Sequence, residues 1–361
     1  MADETVLEYQ CPCCGAGLKF DGKTQELVCE HCDNKFSVEQ LEQLKAAEQD
    51  EKNASEPEWT DYEGTETEGE QTAYICQSCG AALVGDENMI ATECPYCGNS
   101  AIIKERVSGS LRPDYIIPFR LDRAAAKDTL KKFCKGKLLL PGAFRSENTI
   151  DKLQGVYVPF WLFDCDADGT VHFNATRISS WRSGDYQYTK TSYFLVIRGG
   201  KMAFEKIPVD ASEKMDDAYM DSLEPFDYRD LTEFGTAYLP GYLADRFDVS
   251  AKDSSPRASV RVKQSLEDTL RATVHGYATV TTRSTDIRTE DSTVKYAMLP
   301  VYLLNTTYRG KHYLFAMNGQ TGKFVGKLPI SWGRFFAWAG GIAAAVAGVA
   351  QLFLWMGGMF G

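Results

Sequence analysis

Residues 11–32 read CPCCGAGLKFDGKTQELVCEHC, and residues 76–97 read CQSCGAALVGDENMIATECPYC. Each stretch holds two C-x2-C pairs: Cys11/Cys14 with Cys29/Cys32, and Cys76/Cys79 with Cys94/Cys97. Fourteen residues separate the pairs in both copies, and the second copy lies 65 positions after the first. What repeats is the spacing, with little sequence in common between the ligands.

Four thiolates converging in this way suit a tetrahedral metal ion, and zinc is the metal this spacing most often serves. A rubredoxin-like iron site is the chemical competitor. Gly15, Gly80 and Gly98 follow the second Cys of three of the four pairs, where a left-handed backbone is expected. Asp33 takes that place in the fourth. Between the pairs, GLKFDGKTQELV reads as a hairpin turning at Asp21-Gly22, and ALVGDENMIAT as one turning at Gly85-Asp86. A segment of about 30 residues cannot bury enough apolar surface to fold unaided, and a bound ion supplies the missing stability. Two Zn2+ ions are therefore expected, and four sulfur ligands leave no position open for water, so their role is structural. Cys13 and His31 are spare donors beside the first set, and using either as a ligand would disrupt the C-x2-C geometry.

The rest of the composition bounds the setting. Of the formal net charge of −11, the acidity sits in residues 1–70, with 19 Asp/Glu against 5 Lys/Arg. The last 70 residues contain neither Asp nor Glu. The start, MADETVLEYQ, has no apolar export signal, which places the thiols in a reducing compartment and favours metal over disulfides. From Phe335 onward, FFAWAGGIAAAVAGVAQLFLWMGGMFG carries no charge in 27 positions. That is enough for a bilayer-spanning helix, with Trp332, Trp338 and Trp355 near its ends. Lys323, Lys327 and Arg334 flank its N-terminal side, so the positive-inside rule predicts a single-pass protein with residues 1–334 in the cytoplasm. Gly340, Ala344 and Gly348 form a small-residue stripe that would let two such helices approach as a homo-oligomer.

The chain thus divides into a zinc ribbon (6–38), an acidic helix and flexible linker (39–71), a second ribbon (72–106), a β-rich α+β body (108–331) and a transmembrane helix (335–358). Ser37 is the expected N-cap of the linker helix, and the run after it should act as a solvated tether, with docking through Trp59 and Tyr62 as the alternative. In the body, SYFLVIRGGKMAFEKIPVD predicts two strands around Gly199-Gly200, and HYLFAMNGQTGKFVGKLP two strands around 318–322. The recurring phrases YIIPF, YVPFW, YLPGY and MLPVY predict edge strands, strand starts or bulges at their prolines. Helices are expected in LDRAAAKDTLKKFCKG and SPRASVRVKQSLEDTLRATVHGY. DCDADG (164–169) has half a calcium loop but Ala175 where the bidentate Glu belongs, so it reads as an acidic hairpin turn. His172, His275 and His312 show no catalytic spacing, Cys134 and Cys165 read as core thiols, and NGQTG lacks the Lys-Ser/Thr of a phosphate loop.

With these ribbons, this body and this helix, the chain resembles a family of bacterial zinc-ribbon membrane proteins. Its members are often labelled transcription-factor-IIB-type zinc-ribbon proteins or relatives of the primosomal helicase. The resemblance is carried by the two Cys sets, by GVYVPFWLFD (155–164) and by LPVYLLNTTYRGKHYLFAMNGQTGKFVGKLP (299–329). The helicase label rests on the ribbons, since no Walker motif is present. Such proteins are often encoded beside SPFH-domain and phage-shock-protein-A-like membrane proteins, which implies recruitment of those partners or a response to envelope stress. A non-enzymatic membrane adaptor is the function expected. A zinc-ribbon nucleic-acid binder is the alternative, disfavoured because residues 6–38 carry three Lys against five acids, and 72–106 two cations against four.

Overall fold

Three strands of 25 to 30 residues run through positions where the sequence predicts breaks. The computed structural model describes residues 9–53, 59–65, 71–85, 93–100, 102–107 and 111–357. In chain order the elements are β1 (Leu18–Asp21), β2 (Glu26–Cys29), β3 (Lys35–Phe36), α1 (Val38–Asn53), β4 (Gln71–Cys76), β5 (Ala82–Val84), β6 (Ile102–Val107), β7 (Tyr115–Ile116), α2 (Arg123–Lys135), α3 (Glu147–Ile150), β8 (Gln154–Ser183), β9 (Tyr186–Asp210), α4 (Asp217–Leu223), β10 (Thr232–Glu233), β11 (Leu243–Asp245), α5 (Ala251–Ala272), β12 (Thr279–Tyr308), β13 (Lys311–Asn318), β14 (Phe324–Gly326) and α6 (Trp332–Gly357). This is the α+β class read from the sequence, with antiparallel pairing dominant.

The chain forms two compact units, each assembled from three separate stretches. Unit 1 comprises Met1–Tyr62, Leu162–Pro208 and Lys252–Val294; unit 2 comprises Glu63–Trp161, Val209–Ala251 and Lys295–Gly361. The stretch 108–331, expected as one body, is thereby shared between them.

In unit 1 the first ribbon is a three-stranded antiparallel sheet, β1-β2-β3. Its hairpin turns over four residues, with Gln25 rather than Gly22 taking the left-handed backbone (φ 57°). Ser37 caps α1 as expected: its hydroxyl accepts from the Gln40 amide at 3.1 Å, and the Gln40 side chain accepts from the Ser37 amide at 3.0 Å. On α5, Ala258, Val262 and Leu266 recur at helical spacing and are fully buried.

That helix explains two corrections. Gly199-Gly200 is not a turn but lies inside β9, and Asp164–Gly169 is not a hairpin turn but lies inside β8. A Cβ at Gly169 would meet Leu266 at 3.0 Å, and one at Gly200 would meet Leu270 at 3.4 Å. The glycines are notches for α5, not punctuation. Cys165, Ala167, Gly169 and Val171 face inward while Asp166 and Asp168 face water, the period of a half-buried strand. Trp59 makes a further correction. Its ring meets Phe163 edge-on at 4.9 Å, and its indole N–H donates to Ser259 on α5 at 2.9 Å, so this part of the acidic run is docked rather than solvated. Residues 54–58 and 66–70 of that run lie outside the described residues.

Unit 2 is organised by a sheet in which β7 lies parallel to β12, β11 parallel to β8, and β5, β4 and β6 follow antiparallel. Pro159 and Pro300 sit inside β8 and β12 rather than at an edge. Each stands where the strand changes partner. Val156 and Tyr157 pair β11 while Pro159 accepts from Ala211, and Met298 pairs β7 while Val301 pairs β13. The missing N–H therefore costs no ladder bond there.

The β13–β14 turn is where the sequence places it, and it is a buried junction. Asn318 accepts from the amides of Gln320 (2.8 Å) and Thr321 (3.0 Å) and donates to Leu223 O at 3.0 Å. Gln320 accepts from Asp227 N at 2.9 Å and donates to Asp230 at 2.9 Å. A Cβ at Gly319 would clash with Phe119 at 2.6 Å. Helix α6 is long and apolar enough to cross a bilayer, with 20 residues (Trp332–Gln351) of which none is buried. Its start is held to the loop after α2 by Ser331 N to Leu139 O (2.8 Å) and Arg334 to Leu140 O (2.5 Å).

Candidate metal centres

All four C-x2-C pairs fold into the same knuckle. The carbonyl of the first Cys accepts from the residue after the second Cys: Gly15, Asp33, Gly80 and Gly98 donate to Cys11, Cys29, Cys76 and Cys94 at 2.8 to 2.9 Å. The amide of the first Cys in turn donates one residue further on, to Ala16, Asn34, Ala81 and Asn99. The turn forces a left-handed backbone, with φ of 77°, 60°, 72° and 73° at the four positions. Three are Gly, for which this is free, and Asp33 is among the side chains that tolerate it best.

The knuckles bring the eight thiols of the two sets into two groups of four, Cys11/Cys14/Cys29/Cys32 and Cys76/Cys79/Cys94/Cys97, with all sulfurs in a group within 4.8 Å of one another. The close pairs are Cys11–Cys32 at 3.7 Å, Cys14–Cys29 at 3.4 Å, Cys76–Cys97 at 3.6 Å and Cys79–Cys94 at 3.7 Å. A disulfide would need about 2.0 Å. A tetrahedron with Zn–S bonds of about 2.3 Å has edges of about 3.8 Å. The donor sets therefore fit a four-coordinate ion, and in each set two of the four thiols are buried.

Burial pushes the thiols of Cys11 up to about 11 and Cys32 up to about 12, and raises Cys94 as well. At Cys29 burial acts the same way, but amides of Cys32 and His31 point at the sulfur and bring it down to about 7. Amides of Cys79 and Ser78 do the same for Cys76, also to about 7. Burial thus holds protons on thiols in each set that a metal would have to displace. Binding must release protons and weaken in acid.

The surroundings of the two centres differ. The first centre shares the wall of a cavity of about 660 Å³ with Lys45 and Arg283. Arg283 donates to Pro12 O at 2.6 Å, and Lys45 lies 3.7 Å over the Tyr9 ring. With a divalent ion held by four thiolates the site would carry net negative charge, which these cations would offset. Asn34 donates to Tyr193 O at 2.9 Å, and His31 tilts against Tyr193 at 5.9 Å.

The second centre is part of a core. Cys76 and Cys94 are buried in one cluster with Leu83, Tyr96, Leu299, Leu303 and Ala316. Tyr96, inside the CPYC knuckle, donates its hydroxyl to Asp245 at 2.5 Å, and Ser212 donates to the same carboxylate at 3.0 Å. Burial raises Asp245 to about 6 even with these donors. Asn305 donates to Tyr96 O, and its side chain lies 3.1 Å from where a Cβ on Gly98 would be.

Among the described residues the metal-capable groups contain neither Cys13 nor His31. Cys134 and Cys165 are buried core thiols, His172 is buried, and His275 and His312 are exposed. The proposed Gly85-Asp86 turn lies partly outside the described residues. Sequence reasoning missed Tyr96, Asp245 and Asn305. The available signal was Tyr96 itself, an aromatic between two ligands whose ring had to be buried somewhere.

No family model matches the chain, and no solved structure matches it. It is 38% identical over 356 residues to a protein of Bacillus subtilis (strain 168) described as uncharacterized protein YdjG, covering 98% of this chain and 100% of that one. An alignment of that depth and extent makes the chain a member of the YdjG family.

Proposed function

We propose that this chain is a zinc-ribbon adaptor, not an enzyme, tethered by α6 and holding its two metal centres at the cytoplasmic face of the membrane for partner proteins to bind. The observation that carries the reading is the combination of two closed four-sulfur sites with an apolar helix of 20 residues, none buried. Closed sites build shape and leave no coordination position for a reacting water. Zinc is the proposed ion at both. The cytoplasmic orientation follows from Lys323, Lys327 and Arg334 beside the helix, and from the need for reduced thiols. Partners of the SPFH-domain or phage-shock-protein-A-like kind follow from the family resemblance alone.

Two measurements test this. Metal analysis of the full chain in detergent should return close to two zinc ions per chain; iron, or well under two ions, overturns the zinc reading. A detergent pull-down should return SPFH-domain or phage-shock-protein-A-like partners from wild type, and lose them with Cys76→Ser and Cys79→Ser. Retention of partners by the metal-free variant, or a salt-dependent shift with DNA or RNA in their place, overturns the adaptor.

A further inference from the structure

The β8–β9 hairpin carries more exposed aromatic surface than a solvated hairpin needs. Every residue from Arg177 to Thr191 is exposed, so both strands are open to solvent on both faces over this length. A two-stranded ribbon in that state is marginal by itself. Trp181 (50% exposed) stacks on Tyr188 (46%) across the strands at 5.7 Å and 12°, and Tyr186 near the turn is 72% exposed. Ser180 and Thr189 hydrogen-bond across the neighbouring pair at 3.0 Å. Alternation therefore puts Arg177, Trp181, Tyr186, Tyr188 and Lys190 on one face. Arg177 confirms the register: its guanidinium lies over Phe194 at 5.3 Å.

The hairpin is cationic. In a chain of net charge −11, this hairpin has Arg177, Arg182 and Lys190 against Asp185 alone. The large residues on this face are Trp and Tyr, whose rings have one apolar and one polar end and which settle at headgroup depth. Single-stranded nucleic acid also uses aromatics and cations. Here, however, Trp181 and Tyr188 already spend a ring face on each other, which leaves less for bases.

We propose that this hairpin face is a second membrane contact, lying in the headgroup layer of an anionic leaflet. It rests on the reading of α6 as a membrane tether, which holds the hairpin at high effective concentration near lipid.

The test is hydrogen exchange by mass spectrometry on the full chain in three settings: nanodiscs with phosphatidylglycerol, nanodiscs of phosphatidylcholine alone, and detergent micelles. Amides of 177–191 should exchange about tenfold more slowly in the anionic discs than in micelles, with a smaller effect in neutral discs. Replacing Trp181, Tyr186 and Tyr188 by Ser should abolish that protection. Lys190→Gln, which keeps the aromatic stack, should reduce the difference between anionic and neutral discs. Equal exchange in discs and micelles overturns the proposal, as does protection by single-stranded DNA with none from lipid. Failure of the tether reads out separately, as lack of protection over 335–357, while the hairpin amides in the same sample decide the present proposal either way.

Discussion

The two metal centres share a knuckle and differ in what the knuckle is attached to. The first closes its own three-stranded sheet and meets the rest of unit 1 through contacts that include side chains reaching the carbonyls of Tyr193 and Pro12. The second has its strands woven into the sheet of unit 2, with β5 paired to β11, and its sulfurs inside the main core. An identical ligand set can therefore be a docked accessory in one place and a structural keystone in the other. A bound metal would fix both local shapes, and the neighbours determine what depends on it.

The sharpest way to break this comparison is to remove one centre at a time. Cys94→Ser with Cys97→Ser should cost unit 2 on the order of 10 kcal/mol, enough to abolish its cooperative transition in calorimetry of the full chain. Cys11→Ser with Cys14→Ser should lose the same amount of metal yet leave that transition in place. Equal damage from both pairs would erase the distinction.

A smaller effect tests the anchor unique to the second centre. Tyr96→Phe removes a donor from a buried carboxylate and should destabilise unit 2 by about 1–3 kcal/mol. Asp245 also makes a pH signature. Its native proton affinity is raised from the ordinary carboxylate range to about 6, so the folded state binds the proton more tightly than the unfolded state. The associated stability is fully present below about pH 4 and lost as pH rises through about 6, on the order of 3 kcal/mol in all. Melting of Asp245→Asn between pH 4 and 6 should lack this downward trend, whatever its absolute stability.

The smallest effects sharpen the comparison at one backbone position. Gly15→Ala and Gly98→Ala place the same strained φ in different company. Gly15 faces open space and should cost about 1 kcal/mol, the penalty of the left-handed backbone. Gly98 faces Asn305, and the added contact should take its cost to about 2 kcal/mol. Chemical denaturation of each unit would separate the two.

What could be read from the chain alone follows the reach of the physics. The eight ligands, the Ser37 cap and the 311–326 hairpin depend on neighbours within a few tens of residues, and all are legible. Gly199-Gly200 and Asp164–Gly169 are not, because the reason for them is Leu266 and Leu270 on a helix that comes much later in sequence. A glycine reads the same whether it bends a chain or admits a neighbour. Pro159 and Pro300 mislead for a related reason: a residue without an N–H fits a strand interior when the ladder is changing hands. The two units have no single local signature: three of their boundaries fall inside β8, β9 and β12, one lies at the start of α5, and one, at 62/63, falls in the acidic run expected as a linker.

The pairing of β5 with β11 also sets an order of events as the chain matures. The first cluster needs only residues that lie within a short span, and its contacts can form quickly. The second gathers its ligands over the same short span, but the sheet around it is complete only when Leu243–Asp245 flanks Ala82–Val84, a closure across about 160 residues that is slow by comparison. A newly made molecule would therefore gather both sulfur sets before the core that depends on the second has closed around it.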